Sequence, residues 1–228
     1  MSANKNQFQP MKLLFFITII VVIAVVIMVF INNQDNEKDA YTSFEEAPFI
    51  EGQPVLGEVE SPVQVVEFGD FKCPACKQWG ETIYPQLVED YVDTNQVSFS
   101  YINVLFHGDE SKLGSVAAEA VHQLEPDSYW VFHKGLFDKQ PENGQHDSVW
   151  LTTEVLEEVV AETTSIPQED LLAEMKKSVT IEAVNHDTSL VNEYEVKLTP
   201  TIMINEKMVT DPFDYDSIKR LIEEELEG

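Results

Sequence analysis

The sequence predicts an α/β domain built on one sheet, interrupted by an all-helical insertion and preceded by one N-terminal transmembrane helix. Three observations predict it. Strand-like apolar stretches stand at residues 63–68, 97–104 and 200–209, with some seventy helical-looking residues after the second. A long uncharged apolar run stands close to the N-terminus. The chain's 2 cysteines occur as Cys73-Pro74-Ala75-Cys76, at a strand-to-helix junction.

The elements follow in order. Residues 63–68 (VQVVEF) are β-branched and apolar and read as a buried strand. Trp79, Ile83, Leu87 and Tyr91 mark the apolar stripe of a helix over about 76–92, which Pro85 is expected to kink. Residues 97–104 alternate and then turn apolar, as a second strand. Leu113 to Leu124 carry one helical stripe and Tyr129 to Leu136 another. A turn-rich break follows at 141–147. Val155 to Val160 and Leu171 to Met175 mark two further helices, with Ser165 as a candidate cap for the latter, and 180–194 supplies a longer one. The period then returns to two: 200–204 and 207–209 form a hairpin turned at Asn205-Glu206, and Tyr215 to Leu226 close the chain as an amphipathic helix. A β-α-β unit and a β-β-α unit around a helical block make one sheet rather than two domains.

The boundaries expected are a cytosolic N-terminus at 1–12, a transmembrane anchor at 13–31, an extracytoplasmic linker at 32–56 and the domain at 57–228, with the helical insertion at about 107–177. The anchor is apolar except for Thr18, and its 19 positions span close to the bilayer's hydrocarbon core of about 30 Å. Lys5 and Lys12 precede it, while Asp35, Glu37 and Asp39 follow, so the domain is placed outside the cytosol. The run is long for a cleaved signal and lacks a small-residue site at its end, which favours an uncleaved anchor. Residues 32–54 are polar and acidic and read as a tether.

Of 228 residues, 14 are Lys or Arg and 41 are Asp or Glu, a formal net charge of −27. Such a surface repels phosphates and excludes a nucleic-acid binder. No EF-hand-like acidic run occurs, so no metal ligand set is named. Structural zinc wants four ligands, and neither a second cysteine pair nor a paired-histidine spacing is present; the 5 histidines read as surface or packing residues. A purely structural disulfide between Cys73 and Cys76 would close too small a loop to restrict the unfolded chain much. What is left is a reversible redox pair. The first sulfur lies over a helix N-terminus, where free N–H groups and the macrodipole favour a thiolate. Pro74 at the first helical position has no N–H to leave unpaired. Lys72 and Lys77 either add charge favouring that thiolate or are ordinary solvated lysines.

Taken together, Val65-Val66-Glu67-Phe68, Phe71-x-Cys73-Pro74-Ala75-Cys76 and Leu198-Thr199-Pro200-Thr201-Ile202 resemble the DsbA-like thioredoxin-fold thiol:disulfide oxidoreductases. The likeness runs from about 57 to 228, and the anchor gives the chain the look of their membrane-bound Gram-positive members. It implies a thioredoxin-like fold, with Cys73 as the exposed nucleophile and Cys76 as the buried resolving thiol. It also implies a cis peptide at Thr199-Pro200, exposing backbone on which a substrate strand pairs. Glu67 matches the family's buried acid. A carboxylate there is expected to titrate high and to relay a proton to or from Cys76, although the residue alone could be an edge-of-core acid reaching solvent. Ala75 stands where relatives often carry histidine. The implied activity is oxidation of exported proteins with free thiols by a monomer whose only redox group is the Cys73–Cys76 pair, reoxidised by a quinone-linked integral-membrane partner. A tethered thiol reductase and a non-enzymatic peptide- or metal-binding surface module are the alternatives.

Overall fold

The structure is a computed structural model that describes residues 10–38, 40–141 and 148–228, with side chains described at 14–28, 40–141 and 148–228. The expected N-terminal segment 1–12 lies mostly outside the described residues, and so does the expected break at 141–147. The chain divides into two units, Met1–Tyr41 and Thr42–Gly228. In the first, helix α1 (Pro10–Lys38) carries exposed apolar side chains such as Phe16, Ile20 and Met28. Among the described residues no helix is long and apolar enough to cross a membrane.

The second unit is built on a six-stranded sheet of β1 (Tyr41–Ser43), β6 (Lys207–Val209), β5 (Thr201–Ile204), β3 (Val63–Gly69), β4 (Val97–Asn103) and β2 (Val55–Leu56), in that order. Its centre is β3 (Val63–Gly69), parallel to β4 (Val97–Asn103) and antiparallel to β5 (Thr201–Ile204), which pairs in turn with β6 (Lys207–Val209). A strand buried on both faces needs a nearly unbroken apolar run, and β3 has one, with Glu67 as its only ionisable residue. Its last residue is glycine because a Cβ at Gly69 would come within 2.4 Å of the Tyr101 ring. Side chains alternate across the sheet. Val66, Phe68 and Ile102 pack with Leu190, Tyr194 and Met203 on one face. Tyr101 packs on the other face with Phe71, the two cysteines and the helical block.

That block lies between β4 and β5: α4 (Asp109–Leu124), α5 (Tyr129–Asp138), α6 (Thr153–Thr163), α7 (Gln168–Glu174) and α8 (Ser178–Glu193), with α9 (Tyr215–Glu227) closing the chain. Asp187 of α8 ties the block to the sheet, accepting from the Asn103 amide at 2.7 Å and the Gln53 amide at 2.6 Å.

Three expectations need correction. Residues 41–56 are not tether, because β1 (Tyr41–Ser43) and β2 (Val55–Leu56) form the two edges of the sheet. Their backbone pairing outweighs a polar composition, as the Phe44 amide bonded to the Glu206 carbonyl at 2.8 Å illustrates. The cysteine helix begins at Pro74, the first helical position expected for it, but it does not run on to Val92 as one kinked helix. It runs as α2 (Pro74–Thr82) and α3 (Tyr84–Leu87), followed by a π-helical turn (Val88–Val92), because Pro85 has no N–H to return to the preceding turn. Ser165 does not cap α7, whose N-cap is Pro167; the Ser165 hydroxyl and amide are held by the Glu125 carboxylate instead.

Candidate active site

Cys73 is the N-cap of α2, in extended conformation at φ −77° and ψ 120°. Pro74 takes the first helical position, with its fixed φ suited to a helix start. Facing the sulfur is the loop before β5, where the Thr199–Pro200 peptide is cis. Cys73 Sγ lies 3.3 Å from the Thr199 carbonyl oxygen. Both cysteines are free thiols, Cys73 7% and Cys76 1% exposed. The Cys76 thiol hydrogen-bonds Cys73 and pulls its pKa down to about 6 against the opposing effect of burial; the Thr199 side chain and the amides of Cys76 and Ala75 help. Burial does the reverse to Cys76, pushing it well above the ordinary thiol range, with the Cys73 bond and the Glu67 charge adding to the effect. The sequence places one thiol at a helix start and the other a turn inside the core, and opposite titration follows.

Glu67 sits in β3 opposite Tyr101 on one side and Ile202 on the other. It is 2% exposed, and its Oε1 has no hydrogen-bond partner among the described residues. Burial, then the Cys73 charge, raise its pKa well above the carboxylate range, which favours its neutral form. It does not reach solvent like an edge-of-core acid. Glu67 and Cys76 both line a cavity of about 660 Å³.

The loop between β3 and α2 is fixed by residues that the sequence did not single out. Asp70 is fully buried. Its carboxylate accepts from the Lys72 amide at 2.8 Å, the Phe106 amide at 3.0 Å and the Ser111 hydroxyl at 2.9 Å, and it pairs with the His107 ring. Its own amide points at Cys76 Sγ, 3.5 Å away. From the end of α5, the Gln140 side-chain amide donates to the carbonyls of Phe71 at 2.7 Å and Cys73 at 3.0 Å. Lys72 is neither solvated nor a charge aimed at Cys73. It is 4% exposed, paired with Glu110, and donates to the Ser148 carbonyl at 2.7 Å. Lys77 donates to the Gln140 carbonyl at 3.1 Å. Ala75 is partly buried against the helical block. Phe106, Val149 and Leu198 are large apolar residues left exposed, at 46%, 77% and 75%.

Fold and thiol pair together are those of a DsbA-like protein, and the resemblance read from the sequence holds. The thioredoxin family matches residues 50–224, and the chain belongs to it. Within that class it is 43% identical over 181 residues to disulfide bond formation protein D of Bacillus subtilis (strain 168), covering 79% of this chain and 80% of the relative. It is 32% identical to the probable disulfide bond formation protein D of Bacillus anthracis, over 98% of both chains. The crystal structure of oxidised BdbD from Bacillus subtilis superposes with a TM-score of 0.77 at 41% identity, covering 82% of this chain and 99% of that one.

Proposed function

We propose that this protein is a thiol:disulfide oxidoreductase that introduces disulfide bonds into exported proteins at the extracytoplasmic face of the membrane. The observation that carries this is the pairing of a thiol held at about 6, at a helix start facing Thr199, with a neighbour buried and held high. A stabilised Cys73 thiolate stabilises the dithiol form, which makes the disulfide the stronger oxidant.

The reaction starts from the Cys73–Cys76 disulfide. A substrate thiolate attacks the Cys73 sulfur, the bond to Cys76 breaks, and Cys76 leaves with the electron pair. Because Cys76 titrates high it takes a proton, and neutral Glu67 is the donor. Glu67 is reprotonated from water. A second substrate thiolate then attacks the substrate sulfur bound to Cys73 and expels Cys73 as a thiolate. Two electrons pass from the substrate dithiol to the protein; of the two substrate protons, one is balanced on Cys76 and one is left in solvent. During the mixed disulfide, the substrate backbone pairs beside Thr199 and Pro200 as an added strand, and the exposed Leu198 and Phe106 favour unfolded chains. The resulting dithiol passes its electrons to a quinone-linked integral-membrane partner.

The exposed apolar side chains of α1 at 14–28, with Lys5 and Lys12 on their N-terminal side and Asp35, Glu37 and Asp39 beside the lone Lys38 on the other, support a single anchor with the domain outside. The reduction potential against glutathione tests the direction of the reaction. A value well above thioredoxin's, about −270 mV, is expected; one well below it makes the protein a reductase. Full activity of a Cys73→Ser, Cys76→Ser double variant in cells would overturn both and leave a binding module.

A further inference from the structure

Cys73 and Pro74 share a peptide unit with no N–H, so its one polar handle is the Cys73 carbonyl. The direction of that carbonyl fixes ψ of Cys73, 120° here, and ψ decides where the α2 amides lie relative to the sulfur. A residue from outside the loop holds it. Gln140 follows the end of α5 and is 4% exposed. It directs both N–H donors of its side-chain amide at this loop, to the Cys73 carbonyl at 3.0 Å and the Phe71 carbonyl at 2.7 Å. The Lys77 amide also reaches the Cys73 carbonyl, at the longer distance of 3.3 Å. The rest of the turn is held from inside. The Cys73 amide donates to the Asp70 carbonyl at 2.9 Å, and the Lys72 amide donates to the Asp70 carboxylate at 2.8 Å. These bonds fix amides of the turn and leave the Phe71 and Cys73 carbonyls to Gln140. From α2, the Lys77 ammonium returns a bond to the Gln140 main-chain carbonyl at 3.1 Å, so Gln140 is tied to the chain on both sides of Cys73.

The groups that stabilise a Cys73 thiolate are short-ranged and directional: the Cys76 thiol first, then Thr199 and the amides of Cys76 and Ala75. The adjacent cation, Lys72, is turned onto Glu110 and the Ser148 carbonyl. A hydrogen bond weakens steeply as its angle closes, so a thiolate held by such bonds depends on the aim of its sulfur. We propose that Gln140 is a positioning residue for thiol exchange, whose amide fork sets the chain through Phe71 and Cys73 so that the Cys73 sulfur meets the start of α2 and the Thr199 carbonyl. The inference rests on the role given to Cys73 above. Gln140 touches no reacting atom and moves no proton or electron. It acts when Cys73 is expelled from the mixed disulfide, because a thiol that ionises more readily leaves faster. It acts again in the dithiol, where the same contacts stabilise the reduced form.

Gln140→Met keeps the length of the side chain and removes both donors. In that variant the pH midpoint of Cys73 alkylation is expected to rise by roughly one unit from about 6. The reduced form then loses about fivefold of its thiolate stabilisation at pH 7, and equilibration with glutathione should give a potential lower by about 20 mV. A residue that only holds the fold together would move neither reading. Thr152→Ala, which removes the side-chain cap of α6, is the control. It should lower the urea midpoint and leave the alkylation midpoint and the potential where they are. If Thr152→Ala moves them as far as Gln140→Met does, they follow stability and the proposal is overturned. If Gln140→Met titrates and equilibrates as the unsubstituted protein does, the Gln140 role is wrong and that of Cys73 stands. If Cys73 of the unsubstituted protein labels no faster than Cys76, the role of Cys73 fails and the inference with it. Should Gln140→Met not fold, NMR of the unsubstituted protein decides. Side-chain amide protons of Gln140 that exchange slowly and shift with the Cys73 midpoint are expected; protons that exchange like those of free glutamine would overturn the proposal.

Discussion

Glu67 and Asp70 stand three residues apart, on and just past the same central strand, both out of water, and they are built for opposite tasks. Around Asp70 converge backbone amides, the Ser111 hydroxyl and the His107 ring, so its carboxylate is a fixed acceptor that organises the loop. Glu67 has one oxygen with no partner among the described residues, a cavity beside it and Cys76 on the same lining. Burial alone does not decide what a carboxylate does. The donors around it decide: they make Asp70 a structural anchor, and the proton transfer proposed for Glu67 needs their absence.

The comparison is broken most easily at Asp70. Asp70→Ala leaves several buried donors unpaired, and urea unfolding should show a loss of roughly 3 kcal/mol or more. A loss under about 1 kcal/mol would mean that water replaces the carboxylate and that it anchors nothing. Glu67→Gln should do the reverse to stability. A neutral buried carboxyl stabilises the native state most below the unfolded value of about 4.3, and that contribution falls as pH rises toward the higher native value. The amide variant should therefore gain on the parent as pH rises above about 5, while turnover falls on the order of tenfold. Equal stability curves from pH 4 to 8 would say that Glu67 ionises freely in the native protein.

At the thiols, iodoacetamide should label Cys73 with a midpoint near about 6 and leave Cys76 unlabelled in the folded protein. Equal rates at both sulfurs would remove their division of labour. Because the native Cys73 pKa is depressed, the reduced form should have the higher denaturant midpoint, in full above the free-thiol value of about 8.5 and shrinking as pH falls through about 6. The smallest effect belongs to Lys72. Lys72→Met should lower stability by leaving the Ser148 carbonyl and Glu110 short of a donor, yet barely move the Cys73 midpoint. A rise of a full unit would restore the lysine as an electrostatic partner of the thiolate.

What the sequence disclosed follows a physical line. The β3 strand, the cysteine pair at its helix start, the helical block and the Asn205 hairpin all carry a period or a local turn signal. An acid inside an apolar strand is conspicuous, which is why Glu67 could be singled out. Asp70 and Gln140 carry no such mark. Gln140 reaches backbone carbonyls 67 and 69 residues earlier, a contact that no window of local pattern contains. The strands at 41–43 and 55–56 carry no local signal because two or three residues are too few to show alternation, and only their pairing with distant strands makes them sheet.

Those two short strands have a consequence for assembly. One stretch of chain supplies both outermost strands, so neither β6 nor β4 offers its bare backbone to another molecule. An exported protein that handles unfolded, thiol-bearing chains meets strand-forming segments at every turnover, and an open edge would invite them to polymerise on it. The added-strand pairing proposed above is confined to the Thr199 loop. A fragment starting at residue 57 would keep every residue of the thiol site and lose both guards. It should form concentration-dependent aggregates in light scattering, where a fragment starting at residue 42 stays dispersed.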